Sequence, residues 1–75
     1  MNARLEINPE IMLGKPVIKG TRISVELILR RLAEGMTMNE LLESYSHITK
    51  EDIHACFLFA SNLIANEEII IPKSP

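Results

Sequence analysis

From Ser24 onward the apolar residues recur at helical spacing. Val25, Ile28, Leu29, Leu32 and Ala33 stand at i, i+3, i+4, i+7 and i+8, which is one face of a helix. Ser24 is placed to cap its first turn, and Gly35 to end it, because a residue without Cβ takes the left-handed conformation at low cost. Thr37 with Glu40 three places on predicts a capping box, and Met38, Leu41 and Leu42 supply the apolar contacts of a short second helix. Ser44 to Ile48 reads as a turn. Thr49 with Asp52 then caps a third helix running from Lys50 to about Ala65. In this last helix Ile53, Cys56, Phe57, Ala60 and Ile64 make one apolar face and Ala55, Leu58, Phe59 and Leu63 another. Only a seam containing Lys50, His54 and Ser61 is polar, so the helix needs cover from more than one side. Two short neighbours are too little for that. The pattern therefore predicts a homodimer with Phe57, Leu58, Phe59 and Leu63 at the interface.

Ahead of the helices, Leu5 and Ile7 alternate with Arg4, Glu6 and Asn8 until Pro9, the period-two pattern of a short half-buried strand. Gly14, Pro16 and Gly20 then punctuate Val17, Ile18 and Ile23, which predicts either a turn-rich hairpin or an extended arm. Pro16 lacks a backbone donor, so a strand containing it belongs at an edge. At the other end Ile69, Ile70 and Ile71 precede Pro72. Left bare, they would be an aggregation hazard, and they are expected to dock as a strand beside Leu5 and Ile7 or against a partner. The fold class that results is mainly α: a homeodomain-like or winged-helix-like helix-turn-helix bundle of three helices with a short N-terminal β element. One domain spans 1–75, divided into a hairpin or arm over 1–23, the three-helix unit over 24–65 and a tail over 66–75.

Composition narrows the classes. An apolar fraction of 47% with 24% charged residues is that of a folding chain, and 75 residues supply a single small core of marginal stability. No apolar run approaches the roughly 20 residues that cross a bilayer, and Met1 to Glu10 has no signal-peptide pattern, so a cytoplasmic location is expected. The net charge of −2 hides a division. Arg4, Lys15, Lys19, Arg22, Arg30 and Arg31 outnumber Glu6, Glu10 and Glu26 in the first part, and acids prevail from Leu32 onward. Such a split suits a basic surface offered to an anionic partner; solvated charge in a short chain explains it equally well.

Catalytic chemistry finds no support. Cys56 is the single cysteine and lies in an apolar helix face, where burial raises a thiol pKa, and no serine sits in a glycine elbow. His47, His54 and Cys56 match no metal-ligand spacing. A phosphate-binding loop at Gly14-Lys15 would need a glycine where Pro9 stands and a hydroxyl where Pro16 stands. Glu51-Asp52 and Glu67-Glu68 are neighbours that diverge around a helix, and they read as solvated. No enzyme, cofactor, metal site or small-molecule substrate is expected. Nucleic-acid binding is better supported by the three capped helices, although Lys50, Glu51, Asp52 and His54 at the start of the third helix make a poor reader of bases. The contact is expected instead from Lys15, Lys19, Thr21 and Arg22, for which a structural turn with exposed charges is the competing reading.

Several segments taken together carry a family resemblance: Asn8-Pro9-Glu10-Ile11, the run from Gly14-Lys15-Pro16 to Gly20-Thr21-Arg22-Ile23, Leu32-Ala33-Glu34-Gly35, Glu40-Leu41-Leu42 and Thr49-Lys50-Glu51-Asp52-Ile53. The chain resembles domain-of-unknown-function family 433 over nearly its whole length. That resemblance implies a helix-turn-helix fold and a likeness to antitoxins of type II toxin–antitoxin pairs, whose genes often adjoin a PIN-like nuclease toxin. It implies a dimer that binds its own promoter while another surface, such as Ile69 to Ile71, engages the toxin. The alternative is a protein-interaction module that binds a partner without DNA. The chain departs from the family pattern at Ser46, where proline is usual after Tyr45, and at Cys56 and Phe59, where alanine and tyrosine are commoner.

Overall fold

A computed structural model describes residues 3–66 of the chain. Strand β1 (Leu5–Glu6) and strand β2 (Val17–Ile18) pair antiparallel, with Leu5 opposite Ile18 and Glu6 opposite Val17. Helices α1 (Val25–Ala33), α2 (Met38–Ser44) and α3 (Lys50–Asn66) follow. The protein is thus mainly helical, three helices with a small two-stranded sheet at the front. No described helix is long and apolar enough to cross a membrane.

Each helix begins where a side chain can replace the missing backbone acceptor. The Ser24 hydroxyl accepts from the Leu27 amide at 3.0 Å. The Thr37 hydroxyl accepts from the Glu40 amide while the Glu40 carboxylate accepts from the Thr37 amide, closing the capping box. Thr49 and Asp52 repeat that reciprocal pair with the shorter acid, at 3.2 and 2.9 Å. At the end of α1 the Met36 amide reaches back to the Arg31 carbonyl and the Gly35 amide to the Leu32 carbonyl. Gly35 has φ +105°, the left-handed turn that this double closure requires.

The core is one cluster containing Leu5 and Ile18 from the sheet, Val25 and Ile28 from α1, Leu41 from α2, Ile48 from the turn, and Ile53, Ala55 and Cys56 from α3. Phe59, Tyr45 and Leu29 pack partly buried against it. The first half of α3 is therefore covered within a single chain, contrary to the expectation that its neighbours were too small. Beyond Cys56 the cover thins: Phe59 and Ala60 are still half-buried, but Phe57, Leu58, Leu63 and Ile64 are 45%, 51%, 51% and 58% exposed.

One expectation at the front needs correction. Ile7 is 50% exposed and lies outside β1, because Asn8 starts a turn that takes the chain away from the sheet. The Asn8 carbonyl accepts from the Ile11 amide and its side-chain oxygen from the Glu10 amide. Of the two alternatives for the stretch after Gly14, the turn-rich hairpin is the one that forms: Val17–Ile18 is strand β2 and a turn follows it. The Ile18 amide donates to Ile23, Val17 bridges to Ser24, and Gly20 has φ +79°. Between the strands, Met12 and Leu13 take φ +51° and +58°, a conformation that costs a non-glycine residue about 1–2 kcal/mol. Leu13 is 95% exposed there. The expected docking of Ile69 to Ile71 lies outside the described residues.

Candidate nucleic-acid interface

The turn from Val17 to Ser24 and the first two turns of α1 bring cations to one place. Lys15, Arg22 and Arg30 line a shallow cleft of about 290 Å³ with Met12, Ser24, Glu26 and Leu27. Glu26 stands among them, accepting from the Lys15 ammonium at 3.0 Å and from the Arg30 guanidinium at 2.8 Å. Lys15 first, then Arg30, hold its carboxyl below the usual carboxylate range, so it stays an anion. Three cations against one carboxylate leave the cleft net positive. Its ion pairs are exposed and contribute little to stability, which keeps the cations available to exchange Glu26 for an outside anion.

Of the four residues expected at a nucleic-acid contact, the fold gathers Lys15 and Arg22. Lys19 is exposed on the turn but does not line the cleft. Thr21 is occupied: its hydroxyl donates to the Ile18 carbonyl at 2.7 Å and accepts from the Ile23 amide at 3.0 Å. Arg30 is the member not singled out from sequence. Its signal was present, since Glu26 and Arg30 are four residues apart on α1, the spacing at which helical side chains pair.

The start of α3 is organised for stability. Asp52 is buried, contrary to its reading as a solvated acid. One carboxylate oxygen accepts from the Thr49 amide, and the other accepts from the Arg4 guanidinium at 3.1 Å. Lys50, Glu51 and His54 remain exposed beside it. Glu51 is held below the usual carboxylate range, chiefly by its own backbone amide and then by the Thr49 hydroxyl, so an anion persists where a recognition helix would meet phosphate.

Cys56 is buried, and desolvation, with a smaller contribution from Asp52, pushes its thiol from an ordinary 9.0 up to about 11. The folded state thus favours the neutral thiol. That contribution to stability is fully present below pH 9 and is lost as pH rises towards 11. The expected result is a steeper fall in melting temperature between pH 8 and pH 10.5 for the native chain than for Cys56→Ala, read by circular dichroism. Parallel curves would show that the thiol does not titrate with unfolding. Among the described residues, no three His, Cys, Asp or Glu side chains converge as a metal site.

A family described as a protein of unknown function, DUF433, matches residues 5–60, which include the sheet, the cleft and the buried half of α3. The chain belongs to the DUF433 family. The crystal structure of a DUF433 member protein from Anabaena variabilis ATCC 29413 is similar, with a TM-score of 0.79 and 27% identity over 83% of this chain and 61% of that one. The present DUF433 chain thus spans less than two thirds of that relative's length. No curated protein matches the sequence.

Proposed function

We propose that this DUF433 chain is a non-catalytic DNA-binding module, acting as a small transcriptional regulator or antitoxin of a type II pair. The observation that carries the reading is the convergence of Lys15, Arg22 and Arg30 around the single carboxylate of Glu26. A phosphate entering the cleft takes over the hydrogen bonds that Lys15 and Arg30 give to Glu26, and Arg22 adds a guanidinium suited to two oxygens at once. Lys19 on the adjoining turn extends the positive surface along a strand. Contacts of this kind position a protein on the duplex without reading bases, which fits the acidic start of α3.

The test is a mobility shift on the DNA upstream of the chain's own gene at two salt concentrations. Binding is expected to weaken as salt rises, and Arg22→Ala is expected to weaken it on specific and unrelated DNA alike, lowering the salt slope by about 1. No shift at low salt would end the proposal. A second reading is favoured by the exposed Phe57, Leu58, Leu63 and Ile64: a module that binds a PIN-like toxin or other protein without DNA. Co-purification with that protein, abolished by deletion of 69–75, would support the second reading; retention after deletion would remove the tail from it.

A further inference from the structure

The loop between β1 and β2 carries an apolar point that the core does not use. Met12, Leu13 and Gly14 all lie on left-handed backbone, at φ +51°, +58° and +81°. Glycine takes that conformation freely, whereas methionine and leucine are strained in it. Leu13 is 95% exposed, so its side chain gains no burial in return. Strain of this kind persists where the surroundings over-determine it, and it gathers at functional sites. The loop is braced. The Asn8 carbonyl accepts from the Ile11 amide at 2.9 Å, the Ile11 carbonyl from the Gly14 amide at 3.1 Å and the Met12 carbonyl from the Lys15 amide at 3.2 Å, which fixes the tip in place. Met12, next to this leucine, lines the basic cleft with Lys15, Arg22 and Arg30. From Asn8 to Arg22 the cations Lys15, Lys19 and Arg22 stand against a single acid, Glu10. The apolar point thus stands at the edge of a positive surface.

We propose that Leu13 is a wedge that enters the DNA minor groove and partly unstacks one base step, while the cleft beside it holds the phosphates. This rests on the DNA-binding reading and adds a contact with the bases, which the cleft alone does not make. The minor groove is about 6 Å wide and admits one side chain on a tight turn where a helix does not fit. Leucine and methionine are among the side chains that wedge between base steps there, and the kink they cause brings more phosphate onto a basic surface. Selection of a site then follows from deformability, because pyrimidine-purine steps unstack most readily. Such a protein needs no reading helix, in keeping with Glu51 and Asp52 at the start of α3. A lipid surface is a poorer occupant, since even a whole acyl chain, far larger than Leu13, gives only marginal membrane binding by itself.

The test is energy transfer between dyes at the two ends of a short duplex taken from the DNA upstream of the chain's own gene, with a mobility shift in parallel. The native chain is expected to bend the duplex by about 20–90°. Leu13→Ala removes the wedge and keeps the cations, so it is expected to bind within about tenfold of the native affinity and to leave the duplex straight. Leu13→Met is expected to bend it again. Circular dichroism is expected to stay native in both variants, because Leu13 has no place in the core. A native chain that shifts the duplex without bending it would overturn the wedge alone, as would bending unchanged in Leu13→Ala. No shift at low salt would overturn both the wedge and the DNA-binding reading. Binding to vesicles of phosphatidylserine and phosphatidylcholine, lost in Leu13→Ala, would also overturn the wedge and give the tip to a lipid surface.

Discussion

Ile28→Ala is expected to leave the chain largely unfolded at 37 °C. Ile28 is completely buried on α1, in the one cluster that joins the sheet to all three helices. Truncating a large aliphatic side chain in such a place costs about 2–5 kcal/mol, from the lost transfer free energy and the cavity left behind. A single core in a domain this small supplies only about 3–5 kcal/mol net, so one cavity is comparable to the whole. Thermal melts by circular dichroism measure the effect. Ile28→Val, which removes one methyl group, is expected to cost about 0.5–1.5 kcal/mol and to fold. A melting temperature for Ile28→Ala within a few degrees of native would mean that the core collapses around the change, or that stability resides elsewhere.

The second large effect belongs to Asp52. Its carboxylate caps α3 at the Thr49 amide and holds Arg4 at the entrance to β1, so Asp52→Ala releases both the helix and the sheet from one point. Loss of a cap costs about 0.5–2 kcal/mol. Loss of the ion pair adds less than a fully buried pair would, because the Arg4 side chain is 48% exposed against 11% for Asp52. Together the expected destabilisation is about 2–3 kcal/mol, measured by urea unfolding. Arg4→Ala is expected to cost less, since it leaves the cap in place. In the double variant the two costs are expected to be less than additive by about 0.5–1 kcal/mol. Strict additivity would show that the 3.1 Å contact contributes nothing in solution.

The candidate site was only half legible beforehand. Lys15 and Arg22 stood out as charges in a turn-rich stretch, but gathering them with Arg30 required the chain to fold back from β2 onto α1, with the Val25 amide bonded to the Pro16 carbonyl. Thr21 shows the opposite case. A Gly-Thr-Arg sequence offers a hydroxyl in general, and only the turn's hydrogen bonds reveal that this one is already used. Leu13 left no trace in the pattern at all, because a leucine is the last residue that composition would place on left-handed backbone in open solvent.

What the amino-acid order determined by itself is the punctuation of the helices. Ser24, Thr37 and Thr49 cap through bonds that close within three residues, and Gly35 ends α1 through bonds that close within five, so each signal sits beside its effect. Tertiary structure alone decided which apolar residues are covered. Cys56 and Phe57 are neighbours of similar hydropathic reading, yet one is fully buried and the other 45% exposed. Asp52 likewise reads as a surface acid until Arg4, 48 residues away in sequence, arrives beside it. Burial and long-range pairing depend on what the rest of the chain brings to a position, and no local spacing contains that information.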